Sequence, residues 1–427
     1  MRTITHAFAV ADGGDFGADC QVPSDIRSSP ILVCPSFFGS RADGIGRVSA
    51  WVHLALVQLS RGEPYVLAAN DAPEQANPRQ GKAFGGNYVA MGCHALFSPM
   101  FARLRDTAAS ARDLAPIVCT HVGLAPVARL LSLRLGRPYR VVLHGVEVWR
   151  PLRARDRWGL RGVSGFWTNS TYTHRYFLRH NPAFAQVPVQ VTPWGTNPGE
   201  ALPKADRTSE RSGFRLLCVS RLSTGDSFGV YRGVGDLYKG FAVLLDALQV
   251  LKTRCPQVTL GIVGDGNARA DIETYAAKRG VADRVTFYGG LSEEALARQY
   301  AQADAFVMPS EREGFGIVFT EAMARGLPCV GVTAGAVPEV IENGVSGMLV
   351  PPGDAVALAD ALCILAENPR LRARLGEAGQ RRFEKEFTQA ACLRRLHAAL
   401  CFRLESGLQA VPERPEGRTP NSEIPRR

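Results

Sequence analysis

Short apolar runs alternate with helix-period segments almost throughout this chain, then lapse, then begin again. The runs lie at residues 31–37, 65–69, 116–120, 139–143, 166–169 and 187–192, and again at 214–220, 258–264, 285–290, 305–309, 328–332 and 347–350. Runs of this length, uniformly apolar and separated by amphipathic stretches, predict parallel strands buried on both faces by helices. Between residues 193 and 213 the pattern gives way to proline, glycine and charge, which predicts the linker between two doubly wound α/β domains. The run at 187–192 contains Pro188, which cannot donate to a ladder and so predicts an edge strand.

At 427 residues the chain is long for one core and suits two lobes with a cleft between them. The expected layout is an extension over 1–29, a first domain over 30–200, a second over 201–387, a C-terminal helix over 388–406 packing back on the first domain, and a disordered proline-rich tail over 407–427. No apolar run reaches the roughly 20 residues of a membrane span, and the first residues are too short an apolar stretch for a secretory signal. The ten cysteines form no Cys-x-x-Cys pair, and Cys34, Cys119, Cys218 and Cys329 sit inside strand-like runs. They read as small core residues in a reducing cytosol, with no histidine or cysteine spacing suited to zinc.

Charge is uneven. Lys and Arg outnumber Asp and Glu by eight across residues 1–200, out of an excess of ten for the whole chain. The densest patch is 150–161, where Arg150, Arg153, Arg155, Arg157 and Arg161 alternate with Trp149 and Trp158. A solvated basic face, and attraction to a lipid diphosphate or to anionic lipid head groups at the inner face of the plasma membrane, both account for it. Nucleic acid is disfavoured, because no binding module accompanies the charge.

The chemistry-bearing motif is Pro309-Ser-Glu-Arg-Glu-Gly-Phe-Gly316, in which Glu313 precedes a glycine turn and Glu321 follows eight positions after it. A buried strand that ends in such a turn and opens a helix aims backbone N–H groups at an anion, as a diphosphate requires. Arg221 ends the first strand of the second half, and Lys239 stands in Tyr238-Lys-Gly-Phe241 ahead of a helix, so both belong to the same sheet edge. No two aspartates are separated by a single residue, so the metal-binding Asp-x-Asp arrangement is absent. Cationic side chains and a helix dipole then have to hold the phosphates.

These motifs resemble the retaining glycosyltransferases of family 4, which carry two Rossmann-like domains in the arrangement called GT-B. The resemblance spans residues 31–405 and is densest over 214–354. It implies that Arg221 and Lys239 meet the donor diphosphate, and that Glu313, Gly314 and the N–H groups of Phe315 and Gly316 contact the donor sugar. Glu321 would hold the ribose hydroxyls, a cis-diol that suits one carboxylate. The residues 223–237 between Arg221 and Lys239 form a longer loop than many members have. Gly44 and Gly46, in a glycine loop after the first strand, would approach the leaving diphosphate. Gly264 reads as a tight turn near the nucleotide, because the third glycine of a dinucleotide fingerprint is missing, and the backbone after Tyr288 and Gly289 would meet the base.

His121 and His144 each follow a strand. The family places a functional histidine where His121 stands, and His144-Gly-Val-Glu147 looks like an acceptor-side element of some exopolysaccharide mannosyltransferases. Glu147 reads equally as a base or as a helix-surface residue. The implied activity moves a hexosyl group from a GDP- or UDP-linked sugar to a lipid-linked or oligosaccharide acceptor, with no further cofactor and no metal. A non-catalytic sugar-nucleotide-binding protein and a phosphorylase of similar architecture are the alternatives.

Overall fold

The computed structural model describes residues 30–35, 37, 44–59, 64–76, 80–98, 101, 116–196, 213–223 and 239–401. The expected N-terminal extension, the C-terminal tail, most of the linker and most of the loop before Lys239 lie outside these residues.

Two parallel sheets form. The first holds β1 (Ile31–Cys34), β2 (Tyr65–Ala68), β3 (Gly81–Ala83), β4 (Ile117–Cys119), β5 (Tyr139–Leu143), β6 (Gly165–Thr168) and β7 (Val189–Val191), in the order β3-β2-β1-β4-β5-β6-β7. The second holds β8 (Phe214–Val219), β9 (Val258–Val263), β10 (Val285–Gly289), β11 (Ala305–Val307), β12 (Cys329–Val332) and β13 (Gly347–Val350), in the order β10-β9-β8-β11-β12-β13. Every strand pair in both sheets is parallel.

The pleat explains why these runs had to be apolar at every position. Ile31 and Val33 pack into one hydrophobic cluster with Met91, Leu131 and Phe177, while Leu32 and Cys34 pack into another with Val52 and Leu56. The first cluster lies under the helices Tyr88–Phe97, Ala125–Leu135 and Thr171–His180, and the short helix Ala154–Gly159 packs on Ala125–Leu135. The second lies under the helix Gly44–Leu59 and is continuous with the second domain.

Several expectations need correction. The strand Gly81–Ala83 was not foreseen, because Gly-Lys-Ala is neither long nor apolar; it survives as an edge strand whose Lys82 is exposed. The run at 187–192 shortens to Val189–Val191, since Pro188 can contribute only its carbonyl, which accepts from the Phe166 N–H at 2.8 Å. Gly44 and Gly46 fall inside the first turn of a helix, not in the loop before it. The linker is anchored at its start: Trp194 is buried, and the Thr196 N–H donates to the Phe387 carbonyl at 2.8 Å.

The helix Gln389–Cys401 crosses back to lie against Gly44–Leu59, burying Cys392, Leu393 and Leu396 in the same cluster as Trp51 and Trp194. The four strand cysteines are buried and unpaired, but Cys255 and Cys363 form a disulfide, which corrects the all-thiol reading. That pair escaped notice because 108 residues separate the two positions. Among the described residues no helix is long and apolar enough to cross a membrane.

Candidate active site

Each sheet reverses its strand order once, between β1 and β4 in the first and between β8 and β11 in the second. At such a switch point neighbouring crossovers leave on opposite faces, so a crevice opens at the carboxyl ends of the strands. His121 follows β4 and His144 follows β5; Arg221 follows β8, and the segment 309–316 follows β11. The topology therefore collects at two facing edges residues that lie up to two hundred positions apart in the chain.

Two glycines hold the second-domain edge in shape. Gly316 caps the helix Ile317–Ala324 with φ +88°, a left-handed conformation that lets the chain turn sharply from Phe315 into the helix. Gly240 has φ +76° and lies so close to the 309 turn that a Cβ would sit 2.1 Å from the Pro309 carbonyl oxygen. This contact carries the neighbouring Lys239 onto the glutamate loop. Lys239 Nζ donates to Glu313 Oε2 at 2.7 Å, and both side chains are only 15% exposed. The loop is backed from behind by the Ala336 N–H, which donates to the Glu313 carbonyl at 2.8 Å.

Glu321 is engaged on both oxygens. Tyr300, fully buried, donates its hydroxyl to Oε2 at 2.9 Å, and Arg47 of the first domain donates Nη1 to Oε1 at 2.9 Å. The carboxylate in turn adds to burial in pushing the Tyr300 phenol well above its ordinary range. Arg47 lies one residue after Gly46, so the glycine segment reaches the second domain through its arginine. Arg221, two residues beyond β8, is exposed to solvent. Gly264 donates its N–H to the Gly289 carbonyl at 2.9 Å, bringing those two turns together beside Arg221. The Tyr288 side chain leaves this edge: its hydroxyl accepts from Arg215 Nη2 at 2.9 Å, at the opposite end of β8, so only the backbone there faces the crevice.

Across the cleft, His121 Nδ1 accepts from the Gly123 N–H at 3.0 Å, which leaves any ring proton on Nε2. Burial, ahead of the opposing pull of Glu147, lowers its pKa below the ordinary imidazole value, so the ring is neutral near pH 7. His144 stacks near it, ring centroids 6.4 Å apart, and its Nε2 donates to the Thr120 carbonyl at 2.6 Å. Glu147 needs correction. It is buried, lies in a turn and not on a helix surface, and its Oε1 accepts from the His144 and Gly145 N–H groups at 2.6 and 3.1 Å. That carboxylate shapes the turn that presents His144.

The two domains touch at this turn. Gly314 lies against His144 and Gly145, where a Cβ on Gly314 would meet the His144 carbonyl oxygen at 2.5 Å. The Gly314 carbonyl accepts from Ser170 Oγ at 2.7 Å. Glu339 spans the same seam, accepting from the Thr171 and Tyr172 N–H groups at 2.8 and 2.6 Å, so a second-domain carboxylate caps a first-domain helix. Arg47, Ser170, Tyr300 and Glu339 were not read as site residues from the sequence. Glu339 lay in plain view in Gly335-Ala-Val-Pro-Glu339, but its partner is 168 residues away.

Residues 219–382 match the family model described as glycosyl transferases group 1. The chain is 32% identical over 275 residues to the GDP-mannose-dependent alpha-(1-6)-phosphatidylinositol monomannoside mannosyltransferase of Mycolicibacterium smegmatis, covering 60% of this chain and 67% of that protein. It is 31% identical over 214 residues to the amylovoran biosynthesis glycosyltransferase AmsK of Erwinia amylovora, covering 49% of each. The chain thus spans two thirds of the first relative's length and about half of the second's. Among solved structures, Anabaena HepE in complex with UDP and glucose superposes with a TM-score of 0.65 at 21% identity, over 88% of this chain and all of that one. Sucrose-phosphate synthase from Thermosynechococcus elongatus gives 0.66 at 22% identity, over 87% and 98%. The chain belongs to the group 1 glycosyl transferases and has their two-lobed GT-B fold.

Proposed function

We propose that this chain transfers a hexosyl unit, mannose first among the candidates, from a nucleotide diphosphate sugar to a hydroxyl of a lipid-linked or oligosaccharide acceptor, without a divalent metal and with retention at the anomeric carbon. The observation that carries the proposal is the Lys239–Glu313 pair at the carboxyl edge of the second sheet, at 2.7 Å beside the helix that opens at Ile317. A cation, a carboxylate and a helix N-terminus converge there, which is what a sugar diphosphate presents partners for. The names of the relatives support a nucleotide-linked donor and, in one case, a phosphatidylinositol glycolipid acceptor.

In this reading Arg221 and Lys239 neutralise the diphosphate, Glu313 and the Phe315 and Gly316 amides hold the sugar hydroxyls, and Glu321 takes the ribose diol. Neutral His121 donates from Nε2 to the sugar across the cleft. The bond from the anomeric carbon to the phosphate oxygen breaks, a bond to the acceptor oxygen forms on the same face, and the acceptor proton passes to the departing phosphate. His144 lines the acceptor side. The reaction takes place on the cytoplasmic face of the membrane, where the arginines of 150–161 meet anionic lipid.

Incubating the protein with GDP-mannose, UDP-glucose and related donors tests this directly. Slow release of nucleotide from one donor, unchanged by EDTA, is the expected result. Turnover that EDTA abolishes and a divalent metal restores would overturn the metal-free reading, and release from no donor would overturn the transfer itself.

A further inference from the structure

The helices Phe241–Arg254 and Ala355–Glu367 pack side by side, each leaving the carboxyl edge of the second sheet and ending at its amino edge. Cys255, the first residue beyond the former, is 1% exposed and held twice. Its N–H donates to the Leu251 carbonyl at 2.8 Å, and its carbonyl accepts from the Val258 N–H at 3.1 Å. Cys363 and Glu367 stand four positions apart at the end of the other helix, on one stripe, with Cys363 buried and Glu367 exposed.

Glu367 Oε1 lies 3.6 Å from Cys255 Sγ and 3.4 Å from Cys363 Sγ. In the disulfide neither sulfur carries a proton, so neither contact is a hydrogen bond. The nearby cations are committed elsewhere. Lys252 Nζ donates to the Gly280 carbonyl at 2.6 Å, Arg254 pairs with Asp360, and Arg372 donates to the Leu365 and Ala366 carbonyls at 2.8 and 3.0 Å. Among the described residues no cation pairs with Glu367. A carboxylate at the negative end of a helix, beside two sulfurs, is poorly placed alone and well placed as the ligand of a cation.

We propose that Cys255, Cys363 and Glu367 bind one zinc ion per chain when their disulfide is reduced, with water in the fourth position. A tetrahedral ion with two thiolates and one carboxylate oxygen has S···O edges of about 3.6 Å and an S···S edge of about 3.8 Å. Both S···O edges are already present, so only the two sulfurs have to part. A dithiol reductant breaks the S–S bond by giving it two electrons and two protons and is itself oxidised to a disulfide. Zinc then displaces both protons and leaves two thiolates. The ion ties together the same two helices that the disulfide ties, so the domain keeps a clamp in either redox state. The site lies the length of a 14-residue helix, roughly 20 Å, from Gly240 and the cleft, so the ion takes no part in the transfer.

Titration of the full chain with cobalt(II) and then zinc(II), after reduction by a thiol-free phosphine and removal of the reductant under argon, tests this. Reduced protein should take up one cobalt ion with a thiolate-to-metal charge-transfer band, lose the band to one equivalent of zinc, and melt at a higher temperature once zinc is bound. Oxidised protein should bind neither metal. Glu367→Ala removes an exposed side chain and keeps both cysteines; it should weaken zinc at least about tenfold. Cys363→Ser should abolish the band. Nucleotide release below the melting temperature should be equal with and without zinc, which keeps failure of the transferase reading separate. Reduced protein that gives no cobalt band would overturn the proposal. So would equal binding by oxidised protein, by Cys363→Ser or by Glu367→Ala.

Discussion

Glu313 and Lys239 neutralise one another at the cleft edge, so each is preorganised by the other for a ligand that carries both charge and hydroxyls. Removing either group from a preorganised electrostatic site is expected to lower turnover by about 10²–10³-fold. Steady-state rates for Glu313→Ala and Lys239→Ala, with circular dichroism to confirm folding, provide the check; wild-type rates in both would remove the assignment. Arg47 gives a subtler prediction. It occupies one oxygen of Glu321, the group assigned to the ribose, and a partly exposed pair contributes at most about 1 kcal/mol. Arg47→Met should therefore lower the donor KM by about two- to fivefold with kcat little changed. A higher KM would show that Arg47 holds the donor instead of competing with it.

At the scale of elements, the seam between the lobes depends on helix ends. The helix Thr171–His180 starts with Ser170 as its own cap, the hydroxyl accepting from the Thr173 N–H at 3.1 Å, and still takes two further N–H acceptors from Glu339. A carboxylate at a helix N-terminus gains from both the hydrogen bonds and the dipole. Glu339→Ala should cost about 1–2 kcal/mol of stability, and Glu339→Gln less, in urea denaturation. An unchanged midpoint in the alanine variant would mean that the seam is held elsewhere. The strands and long helices were legible in advance, because burial on both faces leaves a continuous apolar run and burial on one leaves a helical period. The caps were not legible, because Glu339 is an ordinary surface glutamate until a helix from the other lobe is placed above it. The strand Gly81–Ala83 was missed for a related reason: its pairing with β2 comes from position, not from its own side chains.

For the whole molecule, two conditions should matter. His94, His121, His174 and His397 all have pKa values lowered, in each case chiefly by burial. In the unfolded chain they protonate near the ordinary value of about 6.5, while the folded protein resists until lower pH. The unfolded state therefore binds more protons below that point, and the melting temperature should fall as pH is lowered through about 6.5 toward the depressed values. A melting temperature flat across this window would show that the rings are not buried in solution. The disulfide Cys255–Cys363 joins the end of the helix Phe241–Arg254 to the helix Ala355–Glu367 and closes a loop of 108 residues. Reducing it should destabilise the second domain by about 2–4 kcal/mol, read from guanidinium denaturation with and without dithiothreitol. Equal midpoints would show that the bond adds nothing.

The amino-acid sequence by itself determined two parallel α/β lobes and put Arg221 and Glu313 just beyond the carboxyl ends of second-sheet strands, because strand and helix periods and glycine turns act between near neighbours in the chain. Tertiary structure alone decided that Arg47 reaches Glu321 across 274 residues, that Glu339 caps a helix of the opposite lobe, and that Cys255 meets Cys363. The Arg47 and Glu339 pairings arise from how two finished sheets are set edge to edge and the disulfide from how two helices of one domain pack, and no local pattern encodes which distant side chain will arrive there.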